Sequence, residues 1–335
     1  MILILTCESD TLQPFASEAL RARGARVVRF NTAEFPQSAT ASLRFNDAGR
    51  TSSLRIAGER VELDEITTVW YRRPTKPLPD PRLSALDQEF ARGESEHVLT
   101  AIWHSLRDRF WVNPYDASRA AEHKPYQLQV AQRVGFDVPR TLITNDPDEV
   151  MAFLDSCSGG VVYKGLQPHS RRTDDTPYGL FTSRVERERV CAQLEQVRLA
   201  PCIFQEYVPK HDELRVTVMG DRIFTCAIDS QASEVSRVDW RKATLVGLPA
   251  HRPADVPDDI RAKIAAMTAR LGLVFGCFDF VRTPDGRVVF LEVNPNGQWY
   301  WVERATGMRL MEGFVDLLTS RERSPAHPIG SAAPA

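Results

Sequence analysis

The chain has 335 residues, enough at about 150 residues per domain for two domains of ordinary size or one fold with an inserted lobe. Hydrophobic residues make up 43% and charged residues 26%, a globular balance that argues against disordered, collagen-like and coiled-coil classes. Forty-two basic residues against 44 acidic ones give a net charge of -2, which removes the simplest argument for a nucleic-acid partner.

Residues 1–6 form a short β-branched and leucine run. It lacks a basic flank and is far shorter than a signal core or a span of about 20 residues, so a cytoplasmic protein with no membrane partner is expected. A helical stretch at 11–23, a stop at Gly24 and a second strand at 27–30 make a βαβ opening, hence a parallel sheet. The first turn, Thr6-Cys7-Glu8-Ser9-Asp10, has none of the glycines that let backbone approach a pyrophosphate, which disfavours a dinucleotide site. Segments 41–45 and 53–56 around Asn46-Asp47-Ala48-Gly49 predict a hairpin. Then come a strand at 68–72, a Pro-rich loop at 74–81, a long helix at 82–106 and a strand at 110–112, with a domain boundary at Asn113-Pro114. Trp70, Tyr71 and Trp299 read as packing residues, and Arg72 and Arg73 as interlobe ion-pair residues.

A helix at 118–134 leads through Gly135 to a strand at 140–144, and Pro147 starts a short helix that ends near Cys157. A strand at 161–164 precedes the polar, aperiodic stretch 167–177, which reads as a mobile loop. A helix at 186–196 and a strand at 202–207 follow. Further on, Glu213, Arg215 and Thr217 alternate with Leu214, Val216 and Val218, and Gly220-Asp221 predicts a two-residue turn into a strand at 223–228. Strands at 277–282 and 288–293 flank Pro284-Asp285-Gly286-Arg287, where Asp285-Gly286 predicts a type I′ turn. A last helix at 309–321 precedes a Pro/Ala/Ser tail, 324–335, expected to be disordered. The divisions are therefore 1–113, 114–204, 205–323 and the tail. Cys7, Cys157, Cys191, Cys202, Cys226 and Cys277 have no CxxC or Cys/His spacing and read as reduced core residues.

Counting outward from the Asp285-Gly286 turn puts Asp279 opposite Glu292, with Asn294 two residues further on the same face. Phe278, Phe280, Leu291 and Val293 then occupy the other face. Two carboxylates and an amide are hard oxygen ligands suited to Mg²⁺ held with nucleotide phosphates, although an ordinary hairpin with a solvated acidic face would carry the same residues. Lys164 ends the apolar run Val161-Val162-Tyr163, and a buried ammonium needs an anionic partner such as phosphate. No Ser/His/Asp or Cys/His nucleophile set is evident, and His211 and His251 have only a weak claim to a role.

Lys124 with Lys164, Gln205-Glu206-Tyr207-Val208, Glu213-Leu214-Arg215, and Asp279 with Leu291-Glu292-Val293-Asn294-Pro295-Asn296-Gly297 resemble, in order and spacing, the ATP-grasp carboxylate ligases. More narrowly, Val69-Trp70-Tyr71-Arg72-Arg73-Pro74, Trp111-Val112-Asn113-Pro114, Asp239-Trp240-Arg241 and Asn294-Pro295-Asn296-Gly297-Gln298-Trp299 resemble the ATP-grasp ribosomal peptide maturases, the microviridin-type ligases that make graspetides.

The resemblance implies an α/β ATP-grasp fold with a preATP-grasp N-terminal domain, a small lid lobe and a C-terminal α+β lobe. It implies ATP and Mg²⁺, and as partner a ribosomal precursor peptide with a leader and an acidic, Thr-rich core, and it leaves a homodimer open. By position, Lys124 and Lys164 would hold phosphates, Gln205, Glu206, Tyr207 and Val208 would present backbone to adenine, and Glu213 would hold the ribose. Asp279, Glu292 and Asn294 would carry Mg²⁺, Arg215 would steady the transferred phosphoryl group, and Asp239 and Arg241 would meet the core peptide. The implied reaction forms ω-ester or ω-amide rings through an acyl phosphate. The alternatives are a ligase that joins free amino acids or extends a carrier, and a catalytically silent nucleotide-binding module. The phosphate-covering loop is poorer in glycine than is usual in the family, with only Gly165 and Gly179 bracketing it.

Overall fold

The structure, a computed structural model, describes residues 1–47, 49–167, 170–173, 176–179, 181–245 and 247–320. It divides into two compact units, Met1–Tyr115 with Arg309–Ala335, and Asp116–Met308. The expected tail 324–335 lies outside the described residues. No helix among those described is long and apolar enough to cross a membrane.

In the first unit a parallel sheet runs in the order Val27–Asn31, Ile2–Thr6, Thr68–Tyr71, Phe110–Val112. Ile2, Leu3, Ile4 and Leu5 are all fully buried, as expected for a parallel strand covered on both faces. The helix Ala85–Ser105 starts where the Ser84 side chain accepts from the Asp87 amide, and its Leu99, Ile102 and Trp103 pack on the sheet. The helix Leu310–Thr319 packs on it as well, with the Phe314 ring 4.8 Å from that of Trp70. Where a dinucleotide fold would place its glycine turn, the Asp10 carboxylate accepts from Thr6 Oγ1 at 3.0 Å, the Leu12 amide at 3.2 Å and Arg72 Nε at 3.1 Å. Arg72 thus pairs with a carboxylate of its own unit, as a buried guanidinium needs a buried counterion. The expected hairpin gains a third strand, giving Thr40–Asn46, Gly49–Ile56 and Glu59–Glu62.

Besides a two-stranded pair, Ser170–Thr173 with Thr176–Gly179, the described residues of the second unit form two larger sheets. The smaller of these two runs Ser183–Arg184, Val161–Lys164, Cys202–Glu206, Thr141–Thr144, and the larger, antiparallel, runs His251–Ala254, Arg222–Ile228, Asp212–Met219, Phe275–Arg282, Val288–Asn294. One face of the larger sheet is apolar. Leu214, Val216, Val218, Phe278, Phe280, Phe290 and Val293 pack there against Val130, Ile260, Ile264 and Met267 of the helices Lys124–Arg133 and Asp258–Arg270.

Three expectations change. The helix read over 118–134 is two helices, Tyr115–Ala121 and Lys124–Arg133, because Pro125 fits only a helix's first turn and forces a new start. Within 167–177, read as a loop, Ser170–Thr173 pairs antiparallel with Thr176–Gly179, since a hairpin needs only backbone pairing and its polar strands show no apolar alternation. Of the six free cysteines, Cys157, Cys226 and Cys277 are buried but Cys191 is exposed, on a short helix with no buried residue.

Candidate active site

The site lies on the polar face of the five-stranded sheet, and its register comes about differently from the sequence count. The turn is not type I′. The Thr283 amide donates to Arg287 O and the Gly286 amide to Thr283 O, so the loop has three residues, with Pro284 leading and Gly286 at φ +86°. Proline presets the negative φ of a type I turn and glycine supplies the left-handed residue after it, whereas type I′ would need positive φ at Asp285. Strand pairing therefore starts one residue out, at Arg282 with Val288, and a bulge at Leu291 puts it back, so that Asp279 does stand opposite Glu292. Phe290, not Leu291, fills the core place on the other face.

Direct cross-strand partners share a face. Arg215 pairs with Asp279, Asp279 with Glu292, and Cys277 with Asn294, so Arg215, Asp279, Glu292 and Asn294 converge. Arg215 Nη1 donates to both Asp279 oxygens at 2.8 and 2.7 Å, and Nη2 donates to Gln298 O at 2.8 Å. Lys124 Nζ donates to Glu292 Oε2 at 2.7 Å. The Asn294 amide nitrogen donates to Asp279 Oδ2 at 3.1 Å and Glu292 Oε1 at 3.3 Å, standing between the two carboxylates. Side-chain exposures of 9% for Arg215, 16% for Lys124, 19% for Glu292 and 23% for Asp279 exclude a solvated acidic face.

Burial raises the Glu292 pKa, but Lys124 and Lys164 outweigh it and pull the carboxylate down to about 2. Asp279 moves up, by burial first and the Glu292 charge after the opposing pull of Arg215. Burial lowers Lys164 to about 8, opposed by the Glu292 charge and reinforced by Lys124 and Arg241. Lys164 is thus within electrostatic reach of the cluster. It contributes charge there from the end of its strand.

The remaining predicted residues fall into two groups. Gln205 is 2% exposed, paired with Thr141 and Val162 inside the smaller sheet, and its side chain donates to Thr141 Oγ1 at 2.9 Å. The Glu206 carboxylate takes both nitrogens of an Arg140 fork, at 3.0 and 3.2 Å, and the Arg184 guanidinium lies 3.9 Å from the Tyr207 ring centre. The Glu206 and Tyr207 amides donate to Arg140 O and Gly160 O, and Val208 follows beyond the strand end. A cleft of about 460 Å³ beside these residues is lined by Phe136, Val138, Glu206, Tyr207, Val208 and Val289 among others, and none of the acidic set borders it.

Glu213 is on the sheet face with Arg215, and Lys210 Nζ donates to it at 2.9 Å and to Val238 O at 2.8 Å. That second bond ties the Asp239-Trp240-Arg241 segment to the sheet. The Asp239 carboxylate, 4% exposed, accepts from Arg241 Nε at 2.8 Å, Arg241 Nη2 at 2.6 Å and the Thr182 amide at 2.9 Å. Burial opposes ionisation of Asp239, yet these donors hold its pKa below the usual range.

Comparison with known proteins fits this arrangement. Residues 1–119 match the family described as the MvdD pre-ATP grasp domain. The macrocyclase MdnC of Microcystis aeruginosa MRC, solved with its precursor peptide MdnA, is 30% identical with a TM-score of 0.83, covering 96% of this chain and 99% of that one. The chain belongs to the ATP-grasp ligases that mature ribosomal peptides. A Chryseobacterium gregarium RiPP-associated ATP-grasp ligase, solved with ADP and a leader and core peptide, is 29% identical with a TM-score of 0.86 and 97% coverage of each chain. A probable alpha-L-glutamate ligase of Xanthomonas oryzae pv. oryzae is 28% identical over 237 residues, 68% of this chain and 75% of that protein.

In this ligase three site features escape a reading by residue type. Lys210 has no periodic signature and is found only through its bond to Glu213. Trp301 lies 6.0 Å from the Arg215 guanidinium and 5.0 Å from Trp240, joining the two groups by aromatic contact. Gly297 lies so close to Cys277 that a Cβ there would stand 2.5 Å from the Cys277 Cβ and 3.0 Å from Arg215 Nη2. The signal for Gly297 is in the sequence, as the glycine of Asn294-Pro295-Asn296-Gly297, but its reason is visible only in space.

Proposed function

We propose that this ligase closes ω-ester or ω-amide rings in a ribosomal precursor peptide with a leader and an acidic, Thr-rich core. A core Asp or Glu side chain is activated by ATP as an acyl phosphate, and a Ser/Thr hydroxyl or Lys amine then displaces phosphate. The observation that carries the reading is the shared face of Arg215, Asp279, Glu292 and Asn294, with Lys124 and Lys164 bearing on it. Phosphoryl transfer needs positioning and charge neutralisation more than covalent help, and this face offers both.

On this reading Lys124 and Lys164 hold phosphates, Gln205, Glu206, Tyr207 and Val208 line the adenine side, Glu213 takes the ribose, and Arg215 steadies the phosphoryl group and the acyl phosphate. Asp239 and Arg241 meet the core peptide, Arg241 being half exposed while Asp239 fixes its fork. Asp279, Glu292 and Asn294 fit Mg²⁺. One amide nitrogen already reaches both carboxylates, so a small cation between them would find two anionic oxygens and, with the amide turned, a neutral third. Mg²⁺ supplies neutralisation of phosphate charge when bound.

The test is incubation with ATP, Mg²⁺ and a precursor encoded beside the ligase. The peptide should become lighter by one water per ring, with ADP and phosphate released. AMP and pyrophosphate would indicate adenylation instead. Turnover with free glutamate and none with the peptide would favour the activity named for the Xanthomonas relative.

A further inference from the structure

The strand Val288–Asn294 carries Glu292 and Asn294 and lies at the edge of the five-stranded sheet, so its outer backbone groups face no neighbouring strand of that sheet. The helix Lys124–Arg133 and the turn after it supply partners instead. At one end the Gln127 side chain meets Val293 with both ends of its amide: Oε1 accepts from the Val293 amide at 2.9 Å and Nε2 donates to the Val293 carbonyl at 2.8 Å. At the other end the Phe290 amide donates to Asp137 O at 2.8 Å. The bulge at Leu291, which brings Glu292 opposite Asp279, falls between these two ties.

Gln127 is buried, and its Nε2 makes one further bond, to Ala121 O at 2.6 Å. The partners fix which end of the amide is which, since two carbonyls can only accept and a backbone N–H can only donate. Ala121 ends the helix Tyr115–Ala121, so one side chain joins that helix, the start of the next and the edge strand. Lys124 stands three residues before Gln127 and therefore beside it on one helix face. Its Nζ reaches Glu292 Oε2 at 2.7 Å, one residue from the backbone that Gln127 grips. Two adjacent strand residues are thus held from a single helical turn, Glu292 by its side chain and Val293 by its backbone.

We propose that Gln127 is a positioning residue for Lys124: it sets the register of the helix start against the strand, so that the ammonium stands over the carboxylate face and can pass from Glu292 to a phosphate. The inference rests on the reading of Lys124 as a phosphate ligand given above. On that reading Lys124 has two partners in turn, and a flexible four-carbon stem reaches both only if its base stays in place. The other buried residues of the helix, Val130 and Ala131, cannot supply that precision. Apolar contact is non-directional, and a helix can slide along a sheet on such residues with little change in buried area. The paired amide bonds to Val293 admit one register only. Displacing a group that must meet the reacting phosphate by about 1 Å costs on the order of 10²-fold, so register at this helix is a functional quantity.

The experiment is a double-mutant cycle on the full-length enzyme, read as affinity for the non-hydrolysable analogue AMPPNP with Mg²⁺ by calorimetry. Gln127→Met keeps the length and helix propensity of glutamine and removes the amide. Lys124→Met alone should weaken binding on the order of 10- to 100-fold, the loss of a hydrogen bond to a charged group. Gln127→Met alone should weaken it about ten-fold, through a displaced ammonium. On the Lys124→Met background the same substitution should change affinity by less than about two-fold, because no ammonium is left to position. A role in holding the fold alone would lower affinity equally on both backgrounds. Urea unfolding establishes that each variant is folded at the assay temperature, and where Gln127→Met is not, Gln127→Glu, which keeps an oxygen for the Val293 amide, carries the cycle. Unchanged affinity in the Gln127 variant, equal losses on the two backgrounds, or failure of both Gln127 variants to fold would each overturn the proposal. Wild-type affinity in Lys124→Met would instead sink the phosphate reading of Lys124, and the proposal with it.

Discussion

Gly297→Ala tests whether the loop after the last sheet strand positions Arg215. The alanine Cβ would lie 2.5 Å from Cys277 Cβ, 2.7 Å from its Sγ and 3.0 Å from Arg215 Nη2. Carbon atoms pack at about 3.5–4.0 Å, so something must move by about 1 Å. Cys277 is fully buried in the middle of the sheet and cannot yield, so the loop moves and takes Gln298 O away from Arg215 Nη2. Gly297 does not have a positive φ, so the effect is contact and not backbone strain. Overpacking costs about 1–3 kcal/mol and loss of a hydrogen bond to a charged group about 1.5–3, so we expect about 3 kcal/mol off the stability. Displacing a charged group by about 1 Å should lower ring formation on the order of 100-fold. Urea unfolding and single-turnover ring formation read the two effects. Removing the opposing Cβ in Gly297→Ala/Cys277→Gly should restore part of both, more than additivity of the single variants allows. Activity within two-fold of wild type in Gly297→Ala, or strict additivity in the double variant, would refute the packing argument.

Two further outcomes follow from the charge pairs. Glu292→Gln should abolish ring formation even at saturating ATP and Mg²⁺, and it should also alter acid stability. Since the folded-state pKa of Glu292 is lowered to about 2, its contribution is present above the usual carboxylate value of about 4.5 and lost as pH falls from there toward 2, so the variant should lose stability above pH 4.5 and flatten in that window, as urea titrations at several pH values would reveal. Arg241→Lys cannot keep the two-nitrogen grip on Asp239, and we expect ATP affinity within a few-fold of wild type but ring formation at least ten-fold lower; calorimetry on the same preparation decides, since joint loss of both would assign the pair to holding the loop alone.

What the sequence discloses depends on whether the signal is local. Alternation of Glu213, Arg215 and Thr217 with apolar residues gives the face of its strand directly, because side-chain period in a strand is a local property. The helix Asp258–Arg270 is also legible in Ile260, Ile264, Met267 and Leu271, which recur at helical spacing after two first-turn aspartates, although no helix is predicted there. The strand His251–Ala254 is harder, since Pro253 reads against a strand and is tolerated only because this one lies at the sheet edge. Asp279 and Glu292 meet through two irregularities of opposite sense, a three-residue turn and a bulge at Leu291, and neither has an unambiguous sequence mark. Lys210 with Glu213 and His251 with Trp240 and Trp301 are contacts of tertiary packing, for which residue type gives no spacing to read.

The pairings on the sheet face bear on how a nucleotide would enter. Arg215 and Lys124 already neutralise Asp279 and Glu292, and burying any of the four alone would be costly, so the face is charge-balanced without nucleotide. On the proposed reading, a cation taken by Asp279, Glu292 and Asn294 frees Arg215 and Lys124 for the triphosphate, and the phosphates in turn supply the anion that Lys164 lacks. Binding is then an exchange of partners in which the number of unpaired buried charges does not rise. An exchange of this kind favours nucleotide and metal arriving together, because either alone leaves a buried charge of one sign uncompensated. It also explains why the carboxylates, the lysines and the arginine lie within one hydrogen-bonded or electrostatically coupled set: each serves as the counterion of another until the substrate's own charges replace it.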